Sequence, residues 1–352
     1  MDLKEIRRHI DVIDYEIVKL INRRMEHALR LKRLKNSVVE PDREKEVLDR
    51  VRSCSTNVVE PDFSEKLYRV IIEESRRLQE KETLLLGFQG EHGAYSEVAA
   101  KAYGKGLVAL PCASFHDVFE QTATGQLDLG IVPVENSLEG AVIEVNDLLM
   151  QTDLRIVGEI RIPIHHCLLA LPDQDYRDLR TVYSHPQALG QCRSFIARHR
   201  LEARPFYDTA GAAIMLREKR PPATAVIASR LCADLYQLEI LQENIEDDNS
   251  NTTRFVLLSR DMQAENGNKC SIIFTAAHRP GGLFSVLKVL ADETINMTRI
   301  ESRPMRHDPG VYAFFVDFQG SDKDERVKGV LEAIQKQTTA FKFLGCYEGK
   351  DL

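Results

Sequence analysis

The first glycine of this 352-residue chain is Gly87, and all 19 glycines lie from there onward. A stretch that long without glycine lacks the residue that best tolerates left-handed turn positions, so it points to helices joined by short links. Its only prolines, Pro41 and Pro61, sit where the apolar periodicity breaks. They divide it into helices over 2–36, 41–52 and 62–81. Leu3, Ile6, Ile10, Ile13, Ile17 and Leu20 recur at spacings of three and four, the pattern of a helix seam. The first helix would span about 50 Å at ~1.5 Å per residue, a rod that two shorter helices cannot cover. A homodimer of such rods is the simplest way to bury the seam.

From Thr83 short apolar strands alternate with helices. Thr83–Phe88, Gly130–Pro133, Cys167–Leu171, Thr181–Tyr183, Thr224–Ala228 and Phe255–Ser259 read as strands. Ser96–Tyr103, Phe115–Thr124, Gln187–His199 and Ala210–Arg217 read as helices between them. This is an α/β domain large enough for two lobes with a cleft. After the polar stretch Ser259–Asn268 the order is β (270–277), α (282–292), β (296–303), β (311–318), α (323–338), β (340–347). That βαββαβ order is ferredoxin-like. The expected domains are 1–82 (all-α, three helices), 83–262 (two-lobed α/β) and 269–352 (α/β, ferredoxin-like).

The chain is 43% hydrophobic and 29% charged, a soluble globular composition. No apolar run approaches the roughly 18 residues of a membrane span. The start, Met1-Asp2-Leu3-Lys4-Glu5, lacks the apolar core of a secretory signal. Seven cysteines without a CxxC pair suit reduced thiols in a cytoplasm and offer no metal-ligand cluster. A net charge of −7 argues against broad nucleic-acid binding. Within this acidic whole, residues 22–36 gather Arg23, Arg24, Arg30, Lys32, Arg33 and Lys35 against Glu26 alone. Most such runs are solvated helix faces. Arg24 and Lys35, however, fall within ~20° of one helix face, whereas Arg7 is turned roughly 100° away. Arg7 therefore joins their site only if a partner chain presents it.

Arg7, Arg24, Lys35, Glu40, Arg43, Glu44, Ser75 and Gln79 follow the order and spacing of the active site of all-helical chorismate mutases, and the segment resembles that family. The resemblance implies a dimer in which the Arg7 position is supplied in trans. Arg7 and Arg24 would hold the carboxylates of chorismate, Lys35 and Gln79 would meet the ether oxygen, and Glu44 would fix a hydroxyl. Arg43, Glu40 and Ser75 complete the pocket. Glu40 stands where better-known members carry aspartate. The pericyclic rearrangement needs no nucleophile and no proton transfer. It needs a charged cage that holds the folded dianion, for which arginine forks are suited.

The central domain carries a glycine run, Gly87 to Ser96, between strand and helix. Such a turn fits an anion site. It does not fit a dinucleotide site: the spacing is not GxGxxG, and no acidic residue ends the following strand (Leu107–Cys112). Four further runs follow: Pro133 to Ser137 with Glu135 and Asn136; Ser184-His185-Pro186-Gln187 with Gln191; Asp208 to Ala213; and Thr253-Arg254-Phe255. Each alone is ordinary turn or capping chemistry. Together and in order they resemble prephenate dehydratases, whose fold is two-lobed like a periplasmic binding protein. That resemblance makes Thr253 the proton relay to the leaving hydroxyl and Arg254 a ligand of substrate carboxylate. Asn136, Ser184 and Gln191 would position prephenate, beside Phe255. Glu135, Asp208 and His185 would support them. Prephenate gains aromaticity as it loses its ring carboxylate and hydroxyl, so no cofactor is required.

In the last domain Pro280-Gly281-Gly282-Leu283-Phe284 opens a helix, and Glu301-Ser302-Arg303-Pro304 closes the second strand. The two runs resemble the L-phenylalanine-binding motifs of small amino-acid-sensing (ACT) domains. Phe284 stands where valine is usual in that family. The chain as a whole thus resembles bifunctional chorismate mutase/prephenate dehydratases: cytoplasmic, dimeric or a dimer of dimers, with feedback by phenylalanine and without metal. Three rivals stand beside it. An arogenate dehydratase carrying a mutase acts on an amino rather than a keto side chain, and the quoted runs fit both. A non-catalytic amino-acid-binding regulator is opposed by the filled mutase positions and the Thr-Arg-Phe run. A DNA-binding regulator lacks a recognition helix outside the mutase-like region.

Overall fold

The computed structural model describes residues 2–34, 38–55, 58–172, 174–262, 264, 266–276, 279–305 and 310–351. The chain forms two units, Met1–Leu85 with Gly125–Leu127, and Leu86–Thr124 with Asp128–Leu352. The first contains α1 (Leu3–Lys32), α2 (Pro41–Cys54) and α3 (Pro61–Glu80). Asp2 caps α1 by accepting the Glu5 N–H at 2.8 Å. Proline at the first position starts both α2 and α3, where its missing N–H is harmless. α1 stops at Lys32, short of the expected 36, with Arg30 and Lys32 in its last turn. The expected seam of α1 lies open: Leu3, Ile6, Ile10, Ile13, Ile17 and Leu20 are 43–65% exposed.

The second unit begins with β1 (Leu84–Gln89), α4 (Tyr95–Tyr103), β2 (Leu107–Cys112), α5 (Phe115–Ala123), β3 (Leu129–Asn136), β4 (Gly140–Ala141), α6 (Ile143–Gln151) and β5 (Arg155–Pro163). The chain then crosses into a second lobe. There lie β6 (Cys167–Ala170), β7 (Thr181–Ser184), α7 (Pro186–Gln191), α8 (Arg193–Arg198), β8 (Glu202–Pro205), α9 (Thr209–Lys219), β9 (Thr224–Ala228), α10 (Arg230–Tyr236) and β10 (Glu239–Gln242). It returns through β11 (Thr252–Ser259), which pairs antiparallel with β3 on one side and β5 on the other. Two lobes, each with its own sheet and joined by two crossings, give the periplasmic-binding-protein architecture. The helix expected over 187–199 is broken at Cys192. Asp247 enters there: it accepts the Ser194 N–H with both carboxylate oxygens, at 3.1 and 3.2 Å, and donates its own N–H to Gln191 O. β5 was not anticipated, because Arg155, Glu159 and Arg161 interrupt its apolar pattern.

β12 (Lys269–Thr275), α11 (Gly282–Asp292), β13 (Met297–Pro304), β14 (Tyr312–Gln319), α12 (Glu325–Gln337) and β15 (Ala340–Tyr347) form the expected βαββαβ unit, its sheet ordered β13-β14-β12-β15. A last strand, β16 (Gly349–Asp351), joins the sheet of the first lobe beside β5; that sheet carries the proposed dehydratase residues and is called the catalytic sheet below. The two layers dock closely. Lys342 Nζ donates to the free carbonyls at the end of α6, Leu149 O at 3.0 Å and Met150 O at 3.2 Å, where a cation also meets the helix dipole. Gly345, with φ +150, passes so near the β5 backbone that a Cβ would overlap Ile156 O. Among the described residues no helix is long and apolar enough to cross a membrane.

Candidate active sites

In the helical unit, Met25, Ala28 and Leu29 of α1 and Ile71, Ser75 and Gln79 of α3 are buried at the spacing of one helix face. The faces meet where Ser75 Oγ lies 3.2 Å from Met25 Sδ, and Arg24 Nη1 donates to the same hydroxyl at 2.5 Å. Gln79, one turn further on, is buried, and its Oε1 has no hydrogen-bond partner among the described residues. A buried acceptor left unpaired is costly unless something else fills the site. Glu44 is held by Arg76, whose Nε donates to Oε1 at 2.7 Å, so this carboxylate ties α2 to α3. Arg43 is exposed and paired with Glu46, Glu40 heads α2 with its carbonyl accepting Glu44 N–H, and Arg7 is exposed on α1. Lys35 lies outside the described residues. One chain therefore assembles Arg24, Ser75 and Gln79 and leaves Arg7 facing outward.

The second cluster forms where the strands of the first lobe end at the crossings. Asn136 closes β3 opposite Thr253 at the start of β11. Its Nδ2 donates to Asn251 Oδ1 at 2.7 Å and to Thr253 Oγ1 at 2.9 Å, while its Oδ1 accepts the Leu138 and Glu139 N–H groups, each at 3.0 Å. Thr253 is 9% exposed. At the other crossing, His166 places Nε2 2.9 Å from Gln191 Oε1 and Nδ1 2.8 Å from the Tyr95 hydroxyl, joining both lobes. Burial lowers the His166 pKa against the opposing pull of Gln191. His185 and Asp208 are caps: His185 Nδ1 accepts Gln187 N–H at 3.3 Å, and Asp208 Oδ1 accepts the Ala210 and Gly211 N–H groups at 2.7 and 2.9 Å.

The glycine run is clasped by the second lobe. Gly93 O accepts from Ser229 Oγ at 2.6 Å, and His92 O accepts from the Tyr236 hydroxyl. Gly93, at φ +94, packs so closely on Cys232 that a Cβ would strike its sulfur. Glu97 anchors the loop by accepting Gly93 N–H at 2.6 Å, beside His92 and Lys101. Burial alone would raise this carboxyl, but His92 and the Gly93 N–H hold it below the usual range.

In the third domain Gly281, at φ +81, heads α11, with Gly282 buried and Leu283 on the core. Pro280 is exposed, and Phe284 is 68% exposed. Along Glu301-Ser302-Arg303-Pro304, half-buried and exposed residues alternate on the edge strand β13. Arg303 turns to Asp147 of α6, at 2.9 and 3.1 Å.

Between this sheet and the catalytic sheet lies a buried charge network. Arg254 Nε donates to Glu159 Oε2 at 2.8 Å, Nη1 to Asp317 Oδ2 at 2.6 Å and Nη2 to the Tyr347 hydroxyl at 3.0 Å. Lys269 Nζ donates to both Glu159 oxygens, at 2.9 and 2.8 Å. Burial would raise both carboxyls. Arg254, helped by Lys269 at Glu159 and by Arg299 at Asp317, holds them below the usual range.

Three family models match in order: chorismate mutase type II over residues 6–80, prephenate dehydratase over 86–263 and ACT domain over 271–335. The bifunctional chorismate mutase/prephenate dehydratase of Aquifex aeolicus is 35% identical over 359 residues, covering 98% of each chain. The chain belongs to the bifunctional chorismate mutase/prephenate dehydratase family. An arogenate dehydratase of Petunia hybrida is 42% identical over 285 residues, 75% of this chain and 67% of its own. The solved prephenate dehydratase of Arthrobacter aurescens, in complex with L-Phe, is 31% identical with a TM-score of 0.70, covering 75% of this chain and 89% of that one.

Three residues expected to bind substrate in the dehydratase cleft are buried among protein partners. Neighbouring strand residues point to opposite faces, so while Thr253 meets Asn136, Arg254 enters the charge network, 4% exposed. Ser184 is fully buried and donates to Ile227 O at 2.6 Å, which ties β7 to β9. Phe255 is 2% exposed, a core residue of the sheet. The sequence reading missed Asn251, His166 and Glu97. Asn251 is buried with Nδ2 unpaired among the described residues, one position before the strand that carries Thr253. The adjacent histidines at the lobe crossing and the acid just beyond the glycine run were the available signals for the other two.

Proposed function

We propose that the protein rearranges chorismate to prephenate in its helical unit and converts prephenate to phenylpyruvate in its two-lobed unit, under feedback from L-phenylalanine. The observation that carries the dehydratase step is the Asn136–Thr253 hydrogen bond. A threonine hydroxyl has one proton to give, and Asn136 donates into its oxygen. The Thr253 proton is then free for the leaving hydroxyl of prephenate, and the Asn136 N–H steadies charge on Oγ1 as that proton moves. Water leaves, the ring carboxylate departs as carbon dioxide, the ring becomes aromatic, and a proton from solvent restores the Thr253 hydroxyl. Asn251 and Gln191 supply further amide groups at the same crossings.

For the mutase step, Arg24 takes a chorismate carboxylate and Gln79 turns its carboxamide N–H to the ether oxygen. Arg7 comes from a second subunit, since its helix also carries the open apolar seam. That same seam supports the dimer. The full-length bifunctional relatives favour prephenate as the second substrate, because the mutase makes it on the same chain; the Petunia relative keeps arogenate as the second reading. The phenylalanine-bound relative and the Gly281 and Glu301–Pro304 runs support phenylalanine as effector. Seven free cysteines support a cytoplasmic site of action.

The test follows chorismate, prephenate and phenylpyruvate separately with wild type and Thr253→Ala. Phenylpyruvate from wild type and prephenate accumulating with the variant are expected. Wild type that leaves prephenate untouched refutes the dehydratase assignment, and preferred turnover of arogenate decides for the second reading.

A further inference from the structure

The Asn136–Thr253 hydrogen bond joins the last residue of β3 to the second residue of β11. Each partner has a sequence neighbour on the opposite face of the sheet. Beside Thr253 is Arg254, and beside Asn136 is Glu135, whose Oε2 stands 3.9 Å from Arg254 Nη1 and 3.8 Å from Arg299 Nε. Both neighbours therefore reach the buried network that separates the catalytic sheet from the sensor sheet.

On the far side, every strand of the sensor sheet contributes. Ser271 of β12, Arg299 of β13, Asp317 of β14 and Tyr347 of β15 surround the Arg254 guanidinium or its partners. Ser271 bridges the last two, donating to Asp317 Oδ1 and lying 2.7 Å from the Tyr347 hydroxyl. A small cavity of about 10 Å³ lies here, lined by Arg254, Arg299, Asp317 and Ser271 among others, and Arg299 Nη2 is buried without a partner among the described residues. The network is tight around Arg254 and slack around Arg299. A strand shift in the sensor sheet therefore moves Arg254 and Glu135, and a one-residue lever on either strand carries the movement to the cleft face.

We propose that Arg254 and Glu135 are positioning residues through which the sensor sheet, by way of Asp317 and Tyr347, sets the geometry of the Asn136–Thr253 hydrogen bond. This rests on the dehydratase reading above. A displacement of about 1 Å in a reacting group is enough to lower turnover by ten- to a hundred-fold, so a relay of this kind acts on kcat without touching substrate.

The experiment uses the full chain and measures wild-type prephenate turnover first. If wild type turns over no prephenate, the reading itself falls and the proposal with it. With wild type active, Asp317→Asn and Tyr347→Phe are compared. The second removes only the hydroxyl held by Arg254 and Ser271, and so preserves the fold if the first does not. Each is expected to lower kcat about tenfold or more while KM stays within about twofold, and mutase turnover is unchanged. In a Thr253→Ala background the same substitutions should add no further loss, because the group they position is gone. A folded Tyr347→Phe with wild-type kcat overturns the proposal. So does a change in KM alone, which would return Arg254 to substrate binding, or equal losses with and without Thr253, which would mark a purely structural role.

Discussion

Gln79 gives the sharpest test of the helical unit, because one substitution should move stability and activity in opposite directions. Its carboxamide is buried on α3 with Oε1 unpaired among the described residues. An unsatisfied buried acceptor costs about 1–3 kcal/mol. Methionine matches the length, removes both polar atoms and keeps helix propensity, so Gln79→Met should stabilise the unit by about 1–2 kcal/mol. For a unit of this size that is a rise of roughly 4–8 °C in Tm per kcal/mol. The same change removes the amide proposed to face the ether oxygen of chorismate, where a lost donor costs about 10²–10³ in kcat. Thermal unfolding of the full chain, with hydrogen exchange on α3 to assign the transition, is paired with a chorismate assay. A lower Tm with undiminished mutase turnover would mean that Gln79 is an ordinary packing residue and that the unpaired oxygen has no bearing on the substrate.

Three shorter predictions accompany it. Gly345→Ala places a methyl against Ile156 O in a conformation that side chains rarely adopt, and should cost about 1–3 kcal/mol. Faster proteolysis between the catalytic and sensor layers would show it, and unchanged cleavage would contradict it. Ile13→Asp puts a charge on the open α1 seam and should convert a dimer to monomers in sedimentation, with loss of mutase and retention of dehydratase; a variant that stays dimeric removes the seam from the interface. Glu159 and Asp317 have pKa values below their ordinary 4.5 and 3.8. Their stabilisation is therefore complete above those values and is lost as pH falls past them toward the folded values. Apolar-dye binding should therefore rise as pH falls below about 4.5. A flat response excludes these carboxylates as the acid-sensitive link.

The helical unit was legible because the lack of glycine, the two prolines and the apolar seam agree on one answer. The βαββαβ order was equally plain, down to a second strand expected over 296–303 and found at Met297–Pro304. What escaped depends on partners distant in the chain. No local pattern announces that Asp247 interrupts the helix at Cys192. β5 hid because Glu159 serves the network beneath it and Arg161 lies beside that carboxylate. Thr-Arg-Phe was visible as a motif, and strand alternation already required Thr253 and Arg254 to face apart. The missing information was which residue meets Asn136 and which meets the sensor sheet, which only the pairing of β11 with β3 and the docking of the sensor sheet supply.

The three family matches suggest a protein assembled from separable modules, with a natural cut near residue 263. The buried position of Arg254 argues otherwise. Severing the chain there would strip a guanidinium in the catalytic sheet of Asp317 and Tyr347, and strip Glu159 of Lys269. It would also uncover the apolar side chains around them and free the end of α6 from Lys342. A dehydratase made to escape feedback by deleting its sensor would thus lose part of its own interior. Resistance to the effector is better sought at the start of α11, proposed to bind it, where Phe284 stands in solvent, than at the seam between the sheets.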